Sequence, residues 1–470
     1  MLDAKKAFLK IKSGDIEFVD LRFVDPRGVW QHMTLPAHEF TFSNCQAGYG
    51  FDGSSIKGFS TIYESDMLLK PDLETFFMDP FFGKTLVCIC DVFDPLTGKN
   101  FEKDPRWTAK KAESYLKKSG IGDISYWGPE IEFFVFDKLY VHLSPEYSYV
   151  QIRSNEFTNE YANSSTEALD GYRIANKTGY FPLPPFDKFQ AFRSEMVKIL
   201  ESIGVEIEVH HHEVASGGQA EIDMHYDTLV SMADKVMKYK YVARNLAKKY
   251  GMTAVFLPKP IFGDNGSGMH THQSVFRRGR NLFYEPKGYA ELSSTGMSYL
   301  AGLLSNISTI LGITNPTLNS YRRLVPHFEA PTSIAFSKRN RSAAVRIPTY
   351  FTKNEKSKRI EFRVPDPTCN PYLSFSALLV FGIEGIKKNL DPKKLGFGPF
   401  EENIWENAKI PQTPNNLFEI WNNLEKDTTL IKSGVFSQEL ITSYLELKRS
   451  EATQSLLYPT PADFFFNSDI

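Results

Sequence analysis

The chain has 470 residues, 42% hydrophobic and 23% charged, an ordinary globular composition with length enough for more than one hydrophobic core. Its 54 Lys and Arg offset 56 Asp and Glu to a net charge of -2, so no long-range field recruits nucleic acid or an anionic membrane, and a small-molecule substrate is expected. The N-terminal MLDAKKAFLKIKSGD has no signal-peptide core, and the most apolar stretch, Tyr372 to Ile383, is too short to cross a bilayer, which points to the cytoplasm.

Residues 1–100 alternate short apolar runs, Ile16 to Phe23 and Thr85 to Val92, with turn residues, and carry the glycine-serine loop GYGFDGSSIKG from Gly48 to Gly58. They read as a small strand-rich domain with one long functional loop. Cys88 and Cys90, two of only four cysteines, sit in the apolar run LVCICDVF and read as reduced, buried thiols. After the turn-dense Asp94 to Lys99, Asp104 and Pro105 open a helix that stops near Gly120, and the domain boundary is placed there, with a second domain over 104–470.

The second domain mixes helices and strands without a strict βαβ repeat, which favours an α+β fold. GPEIEFFVF places Glu130 and Glu132 on one strand face and Ile131, Phe133 and Val135 on the other. Asp187 is expected to cap a helix carrying Phe189, Phe192, Met196, Ile199 and Ile203, ended by Gly204. Val205, Ile207 and Val209 then alternate with Glu206, Glu208 and His210 as a strand with one apolar face. HHHEVASGGQAEID supplies Glu213 and, past a glycine turn, Glu221, and a long helix is expected from about Leu229 to Tyr250. SGMHTHQSV contributes His270, His272 and Ser274, and RIEFRV contributes Arg359, Glu361 and Arg363, backed by Ile360, Phe362 and Val364. Leu390 to Asn416, polar and rich in Pro, Gly and Asn, reads as an exposed excursion.

Each such pattern alone matches the solvent face of an antiparallel strand. Together they indicate a site, because Glu130 and Glu132 lie between a glycine-proline turn and an almost wholly apolar run, where unpaired carboxylates are costly to bury. Divalent cations relieve that cost. Glutamate oxygens with few imidazoles and no nearby cysteine suit Mg²⁺ or Mn²⁺ better than zinc. Arg323, Arg339, Arg341, Arg346, Arg359 and Arg363 offer forks for carboxylate and phosphate oxygens, and metal with arginine points to phosphoryl transfer. No Walker loop or strand-linked GxGxxG is present, so the residues by themselves leave the nucleotide and acceptor unnamed.

FDGSSIKGF, GPEIEFF, KTGYFPLPP, HHEVASGGQAEID, DNGSGMHTHQS, NSYRRLVPHFEAP, KRNRSAAVRIP and RIEFRVPDPTCNPYL resemble, in order, the signature segments of bacterial-type glutamine synthetases. The resemblance implies a β-grasp N-terminal domain, a large catalytic α+β domain, and a homododecamer of two stacked hexameric rings with active sites between neighbouring subunits. It implies ATP-dependent joining of ammonia to glutamate through γ-glutamyl phosphate. By the same resemblance Glu132, Glu213 and Glu221 hold one metal and Glu130, His270 and Glu361 the other. Arg323, Arg363, Asn265 and Gly266 take glutamate, and Arg341 and Arg346 face the transferring phosphoryl group. His272, Ser274 and Arg359 contact ATP, Asp52 and Ser55 of an adjacent subunit take ammonium, and Glu329 closes over the site. Alternatives are a relative using methylamine or a polyamine, a non-catalytic protein on the same fold and, from the metal pattern alone, a two-metal hydrolase.

One further feature extends the resemblance and another departs from it. The tail over 459–470, PTPADFFFNSDI, has Phe464, Phe465 and Phe466 where chain ends are normally polar, and the resemblance implies insertion into the opposite ring. Within the 390–416 excursion, Trp405 stands where many relatives carry an adenylylated tyrosine. An indole has no hydroxyl to bond AMP, so no modification is expected there.

Overall fold

The computed structural model describes residues 2–157, 171–402, 404 and 409–467; Trp405 lies outside the described residues. Near the N-terminus a helix, Ala4–Ser13, is capped by Asp3 and stopped by Gly14 at φ +79°. It covers a six-stranded sheet ordered Trp30–Pro36, Phe18–Val24, Thr85–Phe93, Asp66–Pro71 and Tyr49–Asp52, with Phe77–Met78 beside Thr85–Phe93. The apolar runs read from sequence are its central parallel pair, Phe18–Val24 with Thr85–Phe93. Val19, Leu21, Leu86, Cys88 and Cys90 build its core, and all four cysteines are free and buried.

Helix Pro105–Lys118 begins as expected, with Asp104 accepting from the Arg106 amide. The Arg106 guanidinium ties the small sheet to the helix Leu229–Lys249, reaching Asp91 at 2.7 Å and Asp72 at 2.8 Å on one side and Asp234 at 3.0 Å on the other. The larger sheet has ten strands. Its main path runs Ile207–His212, Gln219–Met224, Ile124–Phe136, Met269–Arg277, Ile360–Phe362, Ala343–Ile347 and Ser333–Lys338. Neighbours pair antiparallel except the last two, which are parallel. Helices Pro105–Lys118, Leu229–Lys249, Ser294–Ser305 and Pro371–Lys387 pack into a common core with Ile131, Phe133, Ile222, Met269, Ile360 and Phe362, which leaves the opposite sheet face for polar side chains. Among the described residues no single helix is long and apolar enough to cross a membrane; the bent pair Ser294–Ser305 and Ile307–Thr314 is core.

Three expectations change. Asp187 does not cap the next helix, which starts at Gln190; its carboxylate turns to the Phe189 amide and to Arg193, a buried cation that outcompetes a cap. The strand after Gly204 is Ile207–His212, and an irregular register between Ile207 and Val209 leaves Val209 46% exposed, so the alternation gives no continuous apolar face. The 390–416 excursion is exposed at Lys393, Lys394, Glu401, Glu402 and Lys409, yet Ile404 and Ile410 are buried against Ala335 and Ala343, and the Thr413 and Phe336 amides bond across it to Thr332 and Phe397. Its apolar residues supply the anchor that composition averages away.

Candidate active site

Strand register turns the period-two patterns into one constellation. His270 stands opposite Glu130, Glu221 opposite Glu132, and Glu361 opposite both His272 and Arg346. Residues so paired share a sheet face, and here it is the face turned away from the core helices. His270 Nδ1 lies 3.1 Å from Glu130, 3.8 Å from Glu132 and 3.9 Å from Glu361, and His272 Nε2 lies 2.7 Å from Glu130.

Two cavities open on this face and meet at Glu130, Asp223 and Arg359. One, of about 300 Å³, has aromatic walls from Tyr126, Tyr226, Phe276 and Phe351 and takes in His272 and Ser274. The other, of about 220 Å³, is polar and gathers Glu132, Glu213, Glu221, His270, Asn265, Gly266, Glu329 and Arg323, Arg341, Arg346 and Arg363. Gly266 is required there, since a Cβ would come within 2.3 Å of the Pro258 carbonyl oxygen. Asp52 and Ser55 line neither cavity. They lie exposed on the small domain, where the Asp52 carboxylate accepts from Ser54 and Ser55 hydroxyls at 2.6 Å.

Two triples place ligand atoms within 4.8 Å of one another: Glu130, His272 and Glu361, and His211, Glu213 and Glu221. Each differs by one member from the sets the resemblance implies. Glu132 instead accepts from the Gly268 amide at 2.9 Å, and His270 stands between the triples. Arg323 is buried and gives its guanidinium to the Val364 and Arg363 carbonyls at 2.8 and 3.1 Å.

Electrostatics divide the acids. Burial raises Glu213 to about 7, with Glu329 and Glu130 adding to it, and burial with Glu130 raises Asp223 to about 8. Burial, then neighbouring carboxylates, also lifts Glu132 and Glu221 well above the usual range. Burial opposes ionisation of Glu361 too, but Arg363 and Arg346 overcome it and bring that group to about 2. Glu130 is likewise held low, by His272 and His270 against burial. Buried oxygens that raise each other's proton affinity fit a hard divalent cation, and none of the cysteines lines either cavity to favour a softer one.

Sequence reasoning missed Asp223, His211, Tyr180 and Tyr350, all of which line the polar cavity. Asp223 was within reach, since it follows Glu221 by two on the strand Gln219–Met224. Tyr180 and Tyr350 carry no periodic signal.

Buried acids, imidazoles and guanidiniums converging from neighbouring strands on one cleft define an enzyme. Its family follows from comparison with known proteins. Residues 15–95 match the glutamine synthetase β-grasp domain and residues 102–466 the glutamine synthetase catalytic domain. The chain therefore belongs to the glutamine synthetase family, and its relatives support a glutamate-ammonia ligase. It is 47% identical to the Aquifex aeolicus glutamine synthetase, covering 98% of this chain and 97% of that one. It is also 46% identical, over 97% and 96%, to a Cupriavidus pinatubonensis protein named 3-hydroxylaminophenol mutase. The solved Plasmodium falciparum glutamine synthetase superposes with a TM-score of 0.90 at 27% identity, covering 99% of both chains.

Proposed function

We propose that the enzyme joins ammonia to the γ-carboxylate of glutamate at the expense of ATP, releasing ADP and phosphate. What carries this reading is the junction of the two cavities. An aromatic-walled pocket fit for a nucleotide opens, at Glu130 and Arg359, into a polar one fit for an amino acid. A carboxylate resists an amine until one oxygen becomes a phosphate leaving group, so phosphoryl transfer to glutamate comes first.

In this reading Mg²⁺ or Mn²⁺, held by Glu132, Glu213 and Glu221 and by Glu130, His270 and Glu361, supplies charge neutralisation for the phosphates. His272, Ser274 and Arg359 orient ATP. Arg323, Arg363, Asn265 and Gly266 orient glutamate, Arg323 by its fixed charge rather than a free fork. Arg341 and Arg346 stabilise charge on the moving phosphoryl group. Asp52, with Ser55, accepts a proton from ammonium, and its place outside both cavities supports delivery from a neighbouring subunit in a dodecamer of stacked rings. Glu329 at the mouth limits water.

The test is a coupled assay of ADP release and glutamine formation with Mg²⁺ or Mn²⁺. Release that needs both glutamate and ammonium supports the reading. Release with methylamine or a polyamine alone, metal-dependent hydrolysis without ATP, or conversion of 3-hydroxylaminophenol without ATP overturns it.

A further inference from the structure

The segment between helix Leu318–Arg323 and strand Ser333–Lys338 crosses the mouth of the polar cavity with Phe328 and Glu329. Its backbone is strained, with His327 at φ +73° and Glu329 at φ +56°, a region that disfavours side-chain-bearing residues. Strain of that kind persists only where contacts enforce it. The contacts are two ammonium groups on one ring: Lys259 Nζ is 3.7 Å and Lys177 Nζ 4.0 Å from the Phe328 centroid. Lys177 Nζ also reaches the His327 carbonyl at 3.4 Å.

Both lysines are hung on one buried carboxylate residue. Asp264 accepts the Lys177 amide at 2.9 Å, and its backbone carbonyl accepts from Lys259 Nζ. The same carboxylate takes the Ser216 amide and hydroxyl at 2.8 and 2.6 Å and the Asn265 amide at 2.9 Å. Asp264 thus joins three loops: the one after Glu213, the one carrying Asn265, and the one bearing Lys177.

We propose that Lys177 and Lys259, fixed by Asp264, are positioning residues that grip the Phe328 ring and hold residues 326–330, with Glu329, across the mouth of the polar cavity. The grip is electrostatic on the ring face, so it needs an aromatic side chain and two cations, and neither lysine has to touch substrate. Its value to the reaction rests on the ligase reading: a loosened segment admits water to the acyl phosphate, and ADP is then released without glutamine.

Hydrogen exchange of the 324–331 peptide, measured without substrates, tests the grip itself. Phe328→Leu, which keeps apolar bulk but loses the π face, and Lys259→Met should each exchange about two- to fivefold faster, while Phe328→Tyr and Lys177→Arg stay near the parent rate. Peptides from the Met269–Arg277 strand report whether the variants remain folded. In the coupled assay Phe328→Leu should raise ADP per glutamine by a similar about two- to fivefold factor, restored by Phe328→Tyr. Unchanged exchange in both Phe328→Leu and Lys259→Met overturns the proposal. Faster exchange in a protein that makes no glutamine leaves the grip standing and defeats the ligase reading instead.

Discussion

Glu361 divides its carboxylate between two guanidiniums, one oxygen accepting from Arg363 Nη1 and the other from Arg346 Nε, with all three side chains buried. A glutamine there keeps one acceptor oxygen and turns an amide group toward the second cation. Glu361→Gln should therefore abolish ATP turnover and also destabilise the protein by about 3 kcal/mol, since breaking a buried ion pair strands its partner. Thermal melts and ADP release measured on the same preparation check both parts. Normal turnover removes Glu361 from the reaction, and an unshifted melt means the arginines find other partners.

The raised acids give a pH signature. Glu213 at about 7 and Asp223 at about 8 stand above the ordinary carboxylate value, so the folded protein binds protons that the unfolded chain has shed. Stability from these groups is complete below the unfolded value and is lost as pH rises through about 7 to 8. Cation-free protein should melt at progressively lower temperature from pH 5.5 to pH 8.5, and Mn²⁺ should flatten that fall because it takes the place of the protons. Asp223→Asn should reduce the slope. A slope untouched by both Mn²⁺ and Asp223→Asn shows that these acids do not share a cation.

How far the sequence carries depends on whether a signal is local. Glu130 with Glu132, and His270 with His272, were legible because two-residue spacing on a strand fixes a shared face, and register only had to align the strands. The same rule holds for Glu221 and Asp223, whose strand is just as regular. His211 was not legible: it sits in a run of three histidines beyond an irregular register, where alternation no longer assigns faces. The two-residue spacing put Arg363 on the face of Glu361, but the pull of Arg193 on Asp187 and of Arg346 on Glu361 depends on how separate elements pack, and no such spacing encodes it. The left-handed His327 and Glu329 carry no glycine to announce them.

Asp52 is exposed and contributes only a turn of its own loop, so its removal should cost little stability. Asp52→Ala should still form the acyl phosphate yet aminate it about a hundredfold more slowly at low ammonium, the loss expected for a missing proton acceptor. Delivery from a neighbouring subunit adds a sharper check. At low ammonium, Arg341→Ala chains and Asp52→Ala chains, each strongly impaired alone, should regain about a quarter of normal activity when co-assembled in equal amounts, because that fraction of shared sites receives both intact residues. No recovery on mixing, with mixed rings verified by mass, would show that a single chain supplies both Asp52 and Arg341 to its own site.

The C-terminal helix, Pro461–Asn467, carries Phe464, Phe465 and Phe466 at 64%, 81% and 72% exposure, so the aromatics do not pack on their own chain. Leu456 and Leu457, 60% and 75% exposed, extend the apolar surface backward along the chain. Monomeric proteins rarely present so many large apolar side chains together, and covering them favours association by about 2 kcal/mol for each phenylalanine fully buried. The proposed occupant is the facing ring, and symmetry multiplies the contact over every subunit. Deleting residues 461–470 should therefore lower the stability of the stack while sparing the ring, because Phe464, Phe465 and Phe466 are exposed and belong to neither core. Sedimentation at falling protein concentration is the measurement: the deleted protein should appear as single rings where the full chain remains a double ring, with ADP-coupled glutamine formation retained. An unaltered assembly at all concentrations would show that the phenylalanines serve another surface.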